Sequence, residues 1–140
     1  MSLEKVGGIH FGERVDIPDV AEPTLVYLRR WFLARHDLGA VMLHAIHMND
    51  AVGHLHVQPW DFVSIVLGGG YEEERPGGVI VKRRAGSVAV RRAEDLHRVR
   101  ILYRCPTWTL VLRGRERREW GFLDDHGWVD HVSYIRRRRG

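Results

Sequence analysis

Short apolar segments, each ended by a turn, recur along most of the chain. They are about four to nine residues long and rich in Val, Ile, Tyr, Trp and Thr, which is typical of β-strands. The candidate strands are residues 25–33, 41–47, 62–67, 71–75, 79–83, 87–91, 97–102, 107–112 and 129–135. Glycine and proline turns separate them at intervals of about ten residues, which predicts an all-β sandwich or barrel. Residues 25–35 fit a helix equally well, because their apolar positions do not settle the period.

Alternation within two of these segments predicts which side chains face the interior. In the segment that begins at His97, that histidine shares a face with Val99 and Ile101, and we expect this face to be the inner one. In an earlier segment Arg83 shares a face with Val81. An inward Arg83 is a candidate anion clamp. The alternative is an ordinary surface arginine whose aliphatic stem packs on the barrel.

The composition is that of an ordinary globular domain. The chain has 140 residues, of which 44% are apolar and 29% are charged. Its net charge is +4, and four of the 22 basic side chains lie together at residues 136–139, so the rest of the chain is close to neutral. We therefore predict one domain over residues 1–135 and a basic tail over 136–140. The sequence shows no helix-turn-helix pattern and no paired zinc-binding cysteines, which gives nucleic-acid binding little support.

Cysteine content and hydropathy indicate where the protein works. Cys105 is the only cysteine, so no intrachain disulfide can form and nothing points to an oxidising compartment. No apolar run approaches the ~20 residues that a membrane span needs. We therefore expect a cytoplasmic protein that does not associate with membranes.

Histidines provide the candidate chemistry. Four of the nine fall between positions 44 and 56. His54 and His56 are two residues apart, so on a strand their side chains share one face and can reach one metal ion. His97 begins another strand and is a candidate third ligand. By strand parity, only one of His44 and His47 can point inward.

The spacing of these residues resembles the two motifs of the cupin superfamily. The first motif would run from His54 and His56 through Asp61 to Gly68, and the second would end at His97. In cupins the first motif supplies two histidines and an acid, and the second supplies the last histidine. The resemblance implies an all-β fold of the cupin type, a double-stranded β-helix or jelly-roll barrel, with room for one short helix.

A closer resemblance, to small single-domain bacterial and phage cupins of largely uncharacterised function, covers most of the chain. The matching motifs are Pro59-Trp60-Asp61-Phe62, Gly69-Gly70-Tyr71-Glu72-Glu73, His97-Arg98-Val99, Trp108-Thr109-Leu110, Trp120-Gly121-Phe122 and Gly127-Trp128. When the first of these is used as the anchor, the two histidines of the family pattern fall on His56 and Gln58. The two resemblances thus share His56 and His97 as metal ligands and leave His54 and Gln58 as alternatives for the remaining position.

The resemblance also implies a function. It favours a metal-dependent enzyme with one divalent ion (Fe, Mn, Zn or Ni) acting on a small polar or anionic substrate, and an oxidoreductase of the dioxygenase type if the ion is Fe(II). Glu73 would be a further ligand or the catalytic acid–base group, unless it is a solvated member of its acidic run. Trp60, Tyr71 and Arg83 would contact the substrate, and we expect a homodimer. The alternative is a non-catalytic cupin that binds a small molecule or sugar and has a degenerate metal site.

Overall fold

The computed structural model describes residues 4–6, 9–19, 22–49, 55–119, 121–124 and 127–139. These residues form fourteen strands, a 3₁₀ turn at Pro76–Gly78 and one helix. The strands are β1 (Glu4–Val6), β2 (Ile9–Phe11), β3 (Glu13–Pro18), β4 (Val26–His36), β5 (Gly39–Ile46), β6 (Leu55–Val57), β7 (Phe62–Gly68), β8 (Gly70–Arg75), β9 (Val79–Arg84), β10 (Val88–Arg91), β11 (Arg98–Leu102), β12 (Thr107–Arg113), β13 (Gly121–Asp124) and β14 (Gly127–Asp130). The helix, α1, is His131–Arg139.

The strands assemble into one large sheet and two small ones, and every pairing is antiparallel. The large sheet has the order β1-β2-β4-β5-β12-β7-β10, with β3 added alongside β4. One small sheet has the order β11-β8-β9 and the other β14-β13-β6. The crossovers between distant strands, such as β5 beside β12 and β12 beside β7, produce the nested order of a jelly-roll barrel.

The core lies between the large sheet and the two small ones. Met42 of the large sheet is fully buried, and Phe32 and Val111 pack in the same cluster. A second cluster joins Val66 of the large sheet to Tyr71 of the β11-β8-β9 sheet. Burial of these alternate positions gives the interior its hydrophobic stabilisation.

The structure confirms most predicted strands and resolves the ambiguous one. Residues 25–35, which fitted either element, lie in strand β4 (Val26–His36) except for the first. Longer pairings with β3 and β5 on its two sides hold it extended. Strands β1, β2, β3, β6 and β13 had no counterpart in the prediction; three of them have only three residues, too few to show a period.

The prediction of a strand over residues 129–135 is wrong. Strand β14 ends at Asp130, and helix α1 begins at His131. The Asp130 carboxylate accepts a hydrogen bond from the amide of Ser133 at 3.0 Å, an N-cap arrangement that stabilises a helix start. The helix continues through the predicted boundary at residue 136 to Arg139. The one helix of the described residues therefore lies at this end of the chain and not at residues 25–35, the segment whose pattern fitted a helix. Within the described residues, no helix combines the length and hydropathy required to cross a membrane.

The predicted inner face of strand β11 is correct for Val99 and wrong for Ile101. Val99 is buried, whereas Ile101 is exposed and Leu102 packs against the core. The pairing with β8 shifts register between Val99 and Ile101, so Arg100 is an extra residue in the strand. A β-bulge of this kind reverses the alternation beyond it.

Candidate functional site

Strand β6 and the residue just before strand β11 bring two of the predicted metal ligands together. The amide of His56 donates to the carbonyl of His97 at 2.9 Å, and the amide of His97 donates to the carbonyl of His56 at 2.9 Å. Such a reciprocal antiparallel pair puts both side chains on one face of the sheet. The two imidazole ring centroids are 4.8 Å apart. Residues forty-one positions apart in the chain thus share one small region of the barrel.

Glu73 of strand β8 fixes the orientation of the His97 ring. One carboxylate oxygen lies 3.0 Å from Nδ1 of His97, and the other accepts a hydrogen bond from the guanidinium of Arg91. The side chain of Glu73 is only 2% exposed. Burial opposes its ionisation, but the hydrogen bonds from His97 and Arg91 outweigh burial and lower the pKa of Glu73 to about 2. Glu73 is therefore an ionised acceptor at neutral pH.

This arrangement leaves the other nitrogen of His97 available. An imidazole that donates its Nδ1 hydrogen to a carboxylate has, in its neutral form, its lone pair on Nε2. Nε2 is buried and has no hydrogen-bond partner among the described residues. A carboxylate–histidine pair with an unsatisfied imidazole nitrogen is the usual surrounding of a metal-binding histidine. The described residues therefore offer two neighbouring imidazoles, those of His56 and His97, to a metal ion.

A cavity of about 540 Å³ lies inside the barrel, and His56 and His97 form part of its wall. Most of the remaining wall is apolar, contributed by both small sheets and the large one. Apolar lining residues include Leu28, Met42, Ile46, Phe62, Val99 and Phe122. A largely apolar cavity with a few polar groups is the usual form of a small-molecule site.

Three further predicted site residues lie at this cavity. Trp60, Tyr71 and Gln58, which is two residues beyond His56, all line it. His54 lies outside the described residues. The question of whether His54 or Gln58 supplies a further ligand therefore stays open. The described residues contain no group of three or more His, Cys, Asp or Glu side chains able to hold a metal ion.

Arg83 is 2% exposed, so its side chain points inward and is not the surface arginine that the sequence left as the alternative. Its Nε donates to the Ser87 hydroxyl at 2.7 Å, and its Nη2 donates to the Ser64 carbonyl at 3.1 Å. Its guanidinium carbon lies 5.8 Å from the centroid of the Tyr71 ring. These bonds tie strand β9 to strand β7 across the barrel. The role of Arg83 as an anion clamp remains a prediction.

A second polar group in the cavity, Arg30 with His44, was not identified from the sequence. Nε of Arg30 donates to Nε2 of His44 at 3.0 Å. Burial, with the neighbouring Arg30 charge, lowers the pKa of His44 well below its usual range. Burial, with the charge of Arg113, lowers the pKa of Arg30 to about 10, so Arg30 is still a cation at neutral pH. Arg30 alternates with the apolar residues Leu28 and Phe32, a pattern that places it on the inner face of a strand. This placement was not predicted, because the segment fitted a helix equally well.

Comparison with known proteins identifies the fold. No family model matches the chain, and no curated protein matches it. Among solved structures, an RmlC-like cupin from Shewanella frigidimarina is similar over 84% of this chain and 96% of its own, with 19% identity and a TM-score of 0.58. The polyketide cyclase RemF from Streptomyces resistomycificus is similar over 67% of this chain and 69% of its own (17% identity, TM-score 0.56). FeII HppE is similar over 80% of this chain and 64% of its own (8% identity, TM-score 0.60).

At these identities the comparisons report on the fold. The similarity fits the architecture described above, in which antiparallel strands are nested into a jelly roll. The neighbours include RmlC-like cupins and double-stranded β-helix proteins. The resemblance noted in the sequence is thereby confirmed at the level of architecture: the chain has the double-stranded β-helix fold of the cupin superfamily.

Proposed function

We propose that the protein is a metal-dependent cupin enzyme that acts on a small polar or anionic molecule held in the barrel cavity. The observation that supports this most strongly is the buried, unpartnered Nε2 of His97 beside His56. An imidazole nitrogen left without a partner in a buried site costs free energy unless a ligand satisfies it. A metal ion is the ligand that a carboxylate-oriented histidine suits best.

His56 and His97 would hold the ion, with Gln58 or His54 as a further ligand. Imidazole suits Fe, Mn, Zn and Ni, so the residues leave the identity of the ion open. When bound, such an ion supplies Lewis-acid polarisation of a substrate oxygen or activation of water, and Fe(II) would supply dioxygenase-like chemistry. Among the structural neighbours are a polyketide cyclase and FeII HppE, so this fold carries enzymes of different kinds.

Glu73 is better suited to positioning His97 than to transferring protons. An acid–base group needs a pKa near the working pH, whereas the pKa of Glu73 is lowered to about 2. Both of its oxygens are already engaged, by His97 and by Arg91. We propose that Glu73 keeps the lone pair of His97 directed at the ion, and that Arg91 keeps Glu73 ionised.

Trp60 and Tyr71 would contact the substrate from the cavity wall. Tyr71 is buried, and burial raises the pKa of its hydroxyl, so it is a neutral hydrogen-bonding group at physiological pH. Trp60 provides a broad apolar surface with the guanidinium of Arg113 4.4 Å from its ring centroid. These aromatic walls would exclude water and set the orientation of a bound molecule.

The second candidate is a non-catalytic cupin that binds a small molecule or sugar. It is favoured by the limited ligand set, since the described residues hold no group of three metal-binding acid, thiol or imidazole side chains. Gln58 in a position where the family pattern has histidine points the same way. Metal content distinguishes the two candidates.

The test is elemental analysis of protein purified after growth with added Fe, Mn, Zn and Ni. We expect about one equivalent of one of these metals per chain, and its loss in His97→Ala. His36→Ala is the matched control, because His36 lies at the end of strand β4, where its ring accepts a hydrogen bond from the Leu38 amide. Metal-free wild-type protein, or equal metal in wild type and His97→Ala, would favour the non-catalytic candidate.

We further propose a homodimer that forms through the outer face of the large sheet. Val90 of β10, Val63 of β7 and Leu112 of β12 lie side by side on that face. Val90 is 69% exposed, and Val88 on the same strand is 60% exposed. An apolar sheet face of this kind usually packs against a partner, and a second copy meets it with an identical face.

Sedimentation velocity tests the dimer directly. The wild type should sediment as a species of twice the chain mass of 16.3 kDa, and Val90→Lys should sediment as the monomer. Leu38→Lys, in an exposed turn, should leave the dimer intact. A monomeric wild type would refute the proposal.

We also propose a cytoplasmic location. Cys105, the only cysteine, is exposed and free, which suits a reducing compartment. Fractionation of cells that express the untagged chain should place the protein with cytoplasmic markers.

A further inference from the structure

Arg30 occupies an unusual position for an arginine. It lies on strand β4 between the buried residues Leu28 and Phe32, and it lines the cavity. Its guanidinium carbon is 5.9 Å from the ring centroid of Phe32 and 5.8 Å from that of Trp60. Its Nε donates to His44. Aromatic faces and one imidazole therefore surround a group that normally pairs with a carboxylate.

In the described part of the chain, no carboxylate is paired with this cation. The cavity wall contains two acids, and neither forms an ion pair with Arg30. Asp19 accepts the amide of Glu22 at 2.9 Å, and Glu116 is exposed. His44 accepts the Nε hydrogen and is neutral, so it supplies no negative charge. A desolvated guanidinium without a counter-ion is costly, and a bound anion would offset that cost.

We propose that Arg30 binds the carboxylate of a substrate that has an apolar body. This inference rests on the proposed function only in placing the substrate in the same cavity. Nε is engaged by His44, and the two Nη groups form no hydrogen bond within the described residues, which leaves the end of the planar fork for a carboxylate. Arg30 is the only lysine or arginine among the described residues that line the cavity, and Arg113, whose charge lowers the pKa of Arg30, is not one of them. One guanidinium beside a neutral imidazole matches one negative charge better than the two of a phosphate monoester.

The rest of the cavity indicates the body of that substrate. Leu28, Ile46, Met42, Val111 and Phe62 line it, and side chains of this kind favour an aliphatic or aromatic group of modest size. The His56–His97 pair lines the same cavity. The geometry therefore favours a molecule anchored by its carboxylate at Arg30 while another part of it lies near the two histidines.

The test uses metal-free protein and matched pairs of probes. Benzoate, phenylacetate and hexanoate are each compared with their primary amides by calorimetric titration, with phenylphosphate as the dianionic probe. We expect at least one carboxylate to bind, and to bind at least ten times more tightly than its amide and than phenylphosphate. Arg30→Met should weaken that carboxylate at least tenfold and leave the amide unchanged. Arg29→Met is the control and should bind as wild type, because Arg29 is on the adjacent, outward position near Asp16.

The selectivity of the wild type keeps the proposal falsifiable even if Arg30→Met unfolds. Equal binding of carboxylate and amide, tighter binding of phenylphosphate, or no binding of any carboxylate would overturn it. Metal titration of the same variants separates the two proposals. His97→Ala should lose metal and keep carboxylate binding, whereas Arg30→Met should do the reverse. If the wild type binds carboxylate but no metal, the metal site is refuted and the carboxylate site stands.

Discussion

Two arginines inside the barrel are in opposite electrostatic situations. Arg91 is paired with the buried carboxylate of Glu73, and only 12% of its side chain is exposed. Arg30 has no acidic partner in the described residues and faces the neutral ring of His44. The first cluster has balanced charges and orients His97. The second has a surplus positive charge beside an apolar cavity.

The difference separates structural charge from binding charge. A buried ion pair with both members present is self-sufficient, and removing one member leaves the other uncompensated. A half-buried cation without an acidic partner destabilises the ligand-free fold, as groups in binding sites often do. Mutations at the two arginines should therefore have opposite consequences for stability and for binding.

Removing Arg91 should have the largest effect on stability. Arg91→Met leaves the carboxylate of Glu73 buried without its cation, and we expect the free energy of unfolding to fall by about 3–5 kcal/mol. Arg100→Met is the control, because Arg100 pairs with Glu72 on the exposed surface. That pair should contribute less than about 1 kcal/mol. Urea denaturation measures the free energy of unfolding of both variants. Equal losses in Arg91→Met and Arg100→Met would mean that the buried Arg91–Glu73 pair contributes no more than the exposed one.

Acid should weaken the same cluster. The pKa of Glu73 is lowered from 4.5 to about 2 in the folded protein. A carboxyl with a lowered pKa stabilises the fold fully above its unfolded value, and this stabilisation is lost as the pH falls from about 4.5 to 2. We expect a loss of about 3 kcal/mol from this group in wild type. Denaturation curves of Glu73→Gln over the same range should lack that component; an identical acid response in both proteins would contradict the assignment.

The positioning role of Glu73 predicts a change in metal affinity. Glu73→Gln should weaken metal binding by about 10- to 100-fold, the usual cost of removing a carboxylate that orients a metal-binding histidine. Glu74→Gln is the control on the same strand, since Glu74 pairs with Arg98 away from the histidines. Competition titration with a metal chelator gives both affinities. Equal affinity in the two variants would remove Glu73 from the site.

Removing Arg30 should have the smallest effect on stability. Arg30→Met loses one hydrogen bond to His44 but relieves a half-buried, uncompensated charge, so the free energy of unfolding should change by less than about 1 kcal/mol. The comparison with Arg91→Met in the same denaturant series is the informative one. A loss as large as that of Arg91→Met would mean that Arg30 serves the fold and not a ligand.

Much of the fold was predictable because alternating segments and glycine turns mark the longer strands. Strand β5, for instance, has the predicted extent to within two residues and places His44 inward and His47 less buried, as parity requires. Helix α1 was missed because its start depends on a capping contact between Asp130 and Ser133 that competes with a strand-like apolar pattern. The bulge at Arg100 was equally invisible, because an inserted residue changes the facing of Ile101 without changing composition.

The site was predictable to a smaller extent. Motif spacing identified His56 and His97, and the structure brings them together through mutual backbone bonds. The partners of Glu73 and the isolation of Arg30 depend on contacts between strands β8, β10, β4 and β5, which no local pattern encodes. Electrostatic balance inside a barrel is a property of the assembled sheets.

The most direct test of the account is a crystal structure of the protein grown with Mn²⁺ or Zn²⁺, with anomalous scattering recorded at the edge of the added metal. We expect one strong anomalous peak inside the cavity, at about 2.0–2.3 Å from a ring nitrogen of both His56 and His97. An ordered His56–His97 pair with no peak between the rings, or a peak bound elsewhere on the chain, would contradict it.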